Sequence, residues 1–305
     1  MRVAAIQLNA TDDRDRNLEV AESLVRDAAA AGADLVALPE KWTFLGPPEG
    51  IVAAAEPLSG PSMRAASAWA RELGIHLLAG SYPERPAGNE KPFNTSVMLG
   101  PDGEILSVYR KLHMFDVEVG GVTYRESEAE DPGDEIVVTD VGGLLTGLSV
   151  CYDLRFPELY RIMALRGARL FTVPAAFTER TGRDHWEVLL RARAIENQAF
   201  VLAPNQIGEA PPHYRSYGHS MIVDPWGLVI ARAPDTEGFV SAELDLESQE
   251  RIRDSLPSLR NRRPAAYRWP GEQGEYDGEE RPRSEGRTPD VPTSISEPAT
   301  PSGAP

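Results

Sequence analysis

Two stretches of the chain run through the same order of elements. Residues 2–39, "RVAAIQL…AGADLVALP", read as strand, loop, helix, Gly-Ala, apolar strand and proline, and residues 144–174, "LLTGLSVC…RGARLFTVP", repeat that order. An internal echo of this kind points to two similar layers packed against each other. The elements themselves are well marked. Leu18, Ala21, Leu24, Val25 and Ala28 recur at helical spacing in "NLEVAESLVRDAAAAGA", and Gly32 follows as a terminator. "DLVALPE" is nearly all apolar, as a strand buried on both faces must be. "PELYRIMALRG" has Pro157 suited to the first turn of a helix and Gly167 to its end.

Between and after these units, strands and helices continue to alternate. "SMRAASAWARELG" and "DHWEVLLRARAIENQ" read as helices, and "IHLLAGSY", "RLFTVPAAF" and "AFVLAPNQ" as strands. "NTSVMLG" and "ILSVYRK" flank the turn "PDGE" as a hairpin, and "SMIVD" and "LVIARA" flank "PWG". "FVSAELD" adds a strand, and a charged helix is expected over about 246–263. Alternation with hairpins predicts an α/β domain with mixed sheets. We expect it to span residues 1–270. From Gly271 onward the chain has eight acidic and three basic residues, six prolines, five glycines and almost no large apolar side chains. Such a segment cannot bury enough surface to offset its conformational entropy, so 271–305 is expected to be a disordered acidic tail.

Charge and composition exclude several functions. The formal net charge is −16, of which −5 belongs to the tail, so a basic nucleic-acid footprint is not expected. No run approaches the ~18 apolar residues of a membrane span. The chain enters directly into "RVAAIQL", which reads as lacking a secretory signal, and its single cysteine allows neither an internal disulfide nor a multi-cysteine zinc site. A cytoplasmic location is the expectation.

In α/β sheets, sites gather beyond the carboxyl ends of strands. Three reactive side chains occupy such ends: Glu40 closes "DLVALPE", Lys111 closes "ILSVYRK", and Cys151, the lone cysteine, closes "LLTGLSVC" at the turn into a helix. Singly, each has an ordinary reading as a loop carboxylate, a surface lysine or a buried small hydrophobe. Together they make a complete chemical set. A thiol with a pKa near 8.5 needs a base or a cation to react at neutral pH, and Glu40 can be that base. Lys111 supplies positive charge where an oxyanion would develop, with the backbone N–H of Tyr152 as second donor. The predicted chemistry is acyl transfer through a covalent intermediate, with no metal or cofactor. A serine hydrolase is disfavoured, since "GLSVC" lacks the second glycine of the G-x-S-x-G elbow, and no P-loop is present. His113, His185 and His219 form no HExxH motif and are assigned structural roles.

At "LVALPEKW", "YRKLHMFDVEVGG" and "GLSVCYDLRFPELYR", supported by "HWEVLLRARAIENQ" and "YGHSMIVDPWG", the sequence resembles the nitrilase, or carbon–nitrogen hydrolase, superfamily over about residues 2 to 268. The resemblance implies a four-layer αββα sandwich, a Glu-Lys-Cys triad of Glu40, Lys111 and Cys151, and homodimers or dimer-based oligomers. It also implies that Glu126, in "YRESE", positions substrate. Within the superfamily the sequence looks most like omega-amidases and amidases of deaminated glutathione. It departs from them at Gly120, where they usually have proline, in a segment one residue shorter before Glu126, and in "EKWTF" after the base. The expected function is hydrolysis of a small linear carboxamide to acid and ammonia or amine. The rival readings are an N-carbamoyl amino acid hydrolase, a nitrilase and a catalytically idle interaction module. The loop "AAFTERTGRDHW" carries Arg180 and Arg183, either of which is a candidate to grip a distal substrate carboxylate.

Overall fold

The computed structural model describes residues 1–212 and 214–267. Met1–Asn261 forms one compact unit, and the described residues beyond it, 262–267, hold one short turn, Pro264–Ala266. The expected tail, 271–305, lies outside the described residues. Among the described residues the strands make a nine-stranded sheet, a six-stranded sheet and a two-stranded ribbon. Both large sheets mix parallel and antiparallel pairs.

The echo in the sequence corresponds to one unit in each sheet. Arg2–Leu8 pairs in parallel with Leu35–Ala37 across the helix Arg14–Ala30, and Leu144–Leu148 pairs in parallel with Leu170–Thr172 across the helix Pro157–Leu165. Strand side chains alternate between faces, and the core divides accordingly. Ala4, Ile6 and Leu8 join Ala21, Val25 and Ala28 of the first helix, and Met63, Ala66 and Trp69 of the helix Pro61–Leu73. Val3 and Ala5 point the other way and share a cluster with Leu148, Phe171 and Leu202 of the second sheet. Beyond that sheet, Leu159 and Met163 of Pro157–Leu165 and Leu190 and Ala194 of the helix Glu187–Asn197 complete the same cluster. The result is four layers: helices, sheet, sheet, helices. Gly147 sets one spacing, because a Cβ there would stand 2.6 Å from Met163 Sδ.

Three details differ from the expectations. The last described helix covers Leu246–Ser255 rather than reaching 263, because Leu256, which precedes Pro257, has left the helical region (φ −126°, ψ 71°). "DHW" belongs to a π-helical turn, Gly182–Trp186, ahead of the helix. "DVEVGGVTYR" forms the ribbon, Asp116–Val119 against Val122–Arg125, with Gly120 and Gly121 both in the left-handed region at its tip. Among the described residues no helix is long and apolar enough to cross a membrane.

Candidate active site

Glu40, Lys111 and Cys151 follow strands of both sheets and meet at the wall of one cavity of about 460 Å³. Each is held by its own local structure. Beyond Leu35–Ala37 the chain is pinned by Leu38 N–H to Leu78 O (3.0 Å) and Ser81 N–H to Pro39 O (3.2 Å). Gly80 makes that approach possible, since a Cβ there would lie 2.0 Å from Pro39 O. Lys111 continues the strand Ile105–Arg110, its N–H donating to Asn94 O (2.9 Å).

Cys151 sits at φ +47°, in the left-handed region that non-glycine residues rarely occupy. Its N–H donates to Pro174 O (2.9 Å), and a 3-10 turn, Cys151–Arg155, starts at once. Buried Asp153 braces this elbow. Its carboxylate accepts from Val150 N–H (2.8 Å), from the Tyr109 hydroxyl (2.6 Å) and from His113 N–H (3.1 Å), and it contacts His113 Nδ1 at 2.7 Å. His113 also stacks on Phe156, with ring centroids 3.6 Å apart. Strain held this firmly at a strand-to-helix turn is a usual way to present a nucleophile.

The polar groups form a chain of alternating charge. Lys111, 1% exposed, donates to Glu40 Oε1 (3.0 Å) and to both oxygens of Glu126 (2.9 and 2.7 Å). Asn94 Nδ2 bridges the same two carboxylates, at 2.8 Å from Glu40 and 3.1 Å from Glu126. Glu40, 3% exposed, accepts on its other oxygen from Ala176 N–H (2.7 Å), while Glu126 accepts from Phe115 N–H (2.8 Å). Lys41, also at positive φ (+53°), brings a second ammonium 3.4 Å from Glu126 and 2.5 Å from Glu130.

This chain fixes the protonation states. Burial pushes the Cys151 thiol well above its ordinary value, Glu40 beside it adds to the rise, and Lys111 only partly opposes. The resting sulfur is therefore a neutral thiol facing a carboxylate. Burial alone would lower the Lys111 pKa, but Glu126 and Glu40 hold it well above the usual lysine range. Burial would raise that of Glu126, but Lys111 and Lys41 outweigh it and keep the carboxylate ionised.

Around the chemistry the cavity is lined by Phe115, Tyr124, Tyr152 and Tyr214, with Arg125 and Arg155 as cations. The Tyr214 hydroxyl donates to Ala176 O. Arg155 lies over the Phe177 ring (5.1 Å) and beside His185 Nδ1 (3.2 Å). Of the two arginines expected at the rim, neither is among the residues that line the cavity. Arg183 is 67% exposed, pairs with Glu179 at 2.5 Å and lines a separate groove. Arg180 packs on the ribbon tip, where a Cβ on Gly120 would stand 2.3 Å from its Nη1. The physical reason for Gly120 is its backbone, φ +63°, in the left-handed region, since an arginine tip could move aside for a Cβ. Asn94, Lys41, Glu130 and Arg155 have no signal in local pattern; "CYDLR", which puts Arg155 one turn past the thiol, is the nearest to a clue. Among the described residues no cluster of three or more His, Cys, Asp and Glu is arranged to hold a metal.

Known proteins share this architecture. The family model for carbon-nitrogen hydrolase matches residues 2–254. The chain is 39% identical to the human omega-amidase NIT2 over 267 residues, covering 87% of this chain and 96% of that protein. It is 40% identical to the deaminated glutathione amidase of Synechocystis over 264 residues, covering 85% and 97%. Among solved structures, a mutant of the amidase from Nesterenkonia, which shows Michael addition of acrylamide at its active-site cysteine, superposes with a TM-score of 0.70 at 29% identity, covering 84% and 98%. With matches that run through both sheets and past Cys151, the chain belongs to the carbon-nitrogen hydrolase family and is a hydrolase of carbon–nitrogen bonds other than peptide bonds.

Proposed function

We propose that the protein is a cysteine-dependent amidase that hydrolyses a small, linear, carboxylate-bearing carboxamide to acid and ammonia. The observation that carries this is the convergence of Cys151, on its positive-φ elbow, with Glu40 and Lys111 at one cavity wall, the Lys111 ammonium lying between Glu40 and Glu126. Glu40 takes the thiol proton as sulfur attacks the amide carbonyl, and the oxyanion forms against Lys111 Nζ and the Tyr152 N–H. All three ammonium protons of Lys111 have carboxylate acceptors at rest, so one of its two Glu126 contacts is given up to the oxyanion. Glu40 then passes its proton to the leaving nitrogen, leaving a thioester on Cys151. Next it takes a proton from water as that water attacks, and collapse releases the acid and the thiol.

Arg125 and Arg155 favour a substrate with a distal carboxylate, and the cavity is large enough for a short dicarboxylate monoamide. The names of the two amidase relatives agree with that class. Dimer-based assembly belongs to the same reading and is supported by exposed apolar side chains, among them Val188 and Ile195 on one helix and Trp226 and Leu228 in the turn whose Gly227 packs at Ile195. A cytoplasmic location is retained with it. The test is ammonia release from a panel of ω-amides, carbamoyl amino acids and nitriles, run with wild type and Cys151→Ala. Turnover confined to carbamoyl compounds or nitriles would replace this reading with one of its rivals.

A further inference from the structure

Beyond Glu126 the buried charge chain continues to a residue that the hydrolytic steps do not use. Glu130 is fully buried and reaches Lys41 at 2.5 Å through Oε2, while its Oε1 has no hydrogen-bond partner. Lys41 stands between two carboxylates, at 2.5 Å from Glu130 and 3.4 Å from Glu126. Glu126 in turn is the group that grips Lys111. The charges facing Glu130 are therefore Lys41 from the loop after Leu35–Ala37, Glu126 from the turn Glu126–Glu128 and, further off, Lys111 from the end of Ile105–Arg110.

We propose that Glu130 is a positioning residue: ionised, it holds Lys41 off Glu126 and leaves Glu126 to grip Lys111; protonated, it releases Lys41 onto Glu126. The inference rests on the amidase reading for its meaning in catalysis, but the latch itself is a property of the buried chain. A fully buried carboxylate with one oxygen unpaired is poorly held in its charged form. Burial pushes Glu130 up to about 7, Glu126 adds to the rise, and Lys41 only partly offsets it. In the released state Lys41 and Lys111 share Glu126, and Lys111 leans toward Glu40. The thiol then faces one more unit of uncompensated positive charge.

The sole cysteine makes this directly readable. Alkylation of Cys151 by iodoacetamide, followed by intact mass, is measured from about pH 5 to pH 9 in wild type, Glu130→Gln and Lys41→Met. In wild type the logarithm of the rate should rise with pH, pause in a step near the Glu130 titration, and rise again. In Glu130→Gln the step should vanish, and the rate above it should exceed wild type by about tenfold, one pKa unit of thiol. Lys41→Met removes the latch from its other side, leaves Glu130 protonated throughout, and should erase the step too; it serves should Glu130→Gln fail to fold. A wild type without a step, or a variant that keeps it, overturns the latch. Amide turnover in the same samples separates the two readings. A step without any amidase activity sinks the amidase and leaves the latch, whereas activity without a step sinks the latch alone.

Discussion

Replacing Glu40 by glutamine changes almost no volume, so its consequences can be worked atom by atom. Oε1 accepts from Lys111 Nζ and Asn94 Nδ2, and Oε2 accepts from Ala176 N–H. Every neighbour is a donor, so the glutamine NH2 must face a donor in either orientation. Turning it toward Ala176 sets it against one donor, and turning it the other way sets it against two. The better orientation still leaves a buried N–H unpaired, at about 1–3 kcal/mol. Loss of the charge opposite Lys111 adds to this, although Glu126 still neutralises that ammonium; the sum is about 3 kcal/mol of stability, the low end for breaking a buried pair. Turnover should fall about 10³-fold, as removal of a general base does. Alkylation should move the other way. Glu40 helps to hold the proton on Cys151, so neutralising it lowers the thiol pKa, and iodoacetamide should react faster, about tenfold per pKa unit. The assay pairs ammonia release from an ω-amide with the rate of adduct formation at neutral pH. A Glu40→Gln enzyme within about tenfold of wild-type kcat would refute the general-base assignment. Alkylation that slows along with turnover would show that Glu40 activates the resting thiol rather than confronting a neutral one.

Cys151→Ala should abolish ammonia release while a denaturant melt stays near wild type, because no other cysteine exists to replace it. Arg155→Met should raise KM for a carboxylate-bearing ω-amide by about tenfold or more with little change in kcat, while Arg183→Ala, outside the cavity, leaves both unchanged; the comparison with a neutral analogue checks it. Glu130 also makes a signed prediction for stability. Its folded pKa of about 7 exceeds the ordinary 4.5, so the folded state holds the proton more tightly. The associated stability is full below about 4.5 and is lost as pH rises to about 7, a fall of about 3 kcal/mol that Glu130→Gln should remove from melts across that window.

Much of the site can be read from the sequence because strand ends are local features. "DLVALPE", "ILSVYRK" and "LLTGLSVC" each announce a strand and its terminal reactive residue within eight positions. The rest depends on distant partners. Asn94 matters because it reaches Glu40, 54 residues away, and Lys41 because it reaches Glu130, 89 residues away. No periodicity carries such information. The placement of Arg180 and Arg183 turns on geometry too. The π-helical turn Gly182–Trp186 and the pairing with Glu179 direct Arg183 to a different groove, and the bare tip at Gly120 receives Arg180. Pro157 marks a helix start as its position suggests, whereas the stop at Pro257 is masked by the charged run around it.

The order of strands has a consequence for synthesis. Arg2–Leu8 lies inside the nine-stranded sheet, with Leu35–Ala37 along one side and, along the other, Gly238–Glu243 in antiparallel register from Arg2↔Glu243 to Gln7↔Gly238. Arg2–Leu8 must therefore wait for Gly238–Glu243, the last strand among the described residues, before its hydrogen bonds are complete. At about 5–20 residues per second that interval is some tens of seconds, and for the first part of it Val3 and Ala5 have no second sheet to face. Glu40 and Lys111 are made before Cys151, and Pro174 and Ala176, whose backbone groups hold the elbow and the base, come after it. The nascent chain therefore does not set base against thiol until it has passed the middle of the fold. Reactivity is thereby tied to assembly: products of translation that end before Pro174 should be both chaperone clients and chemically inert.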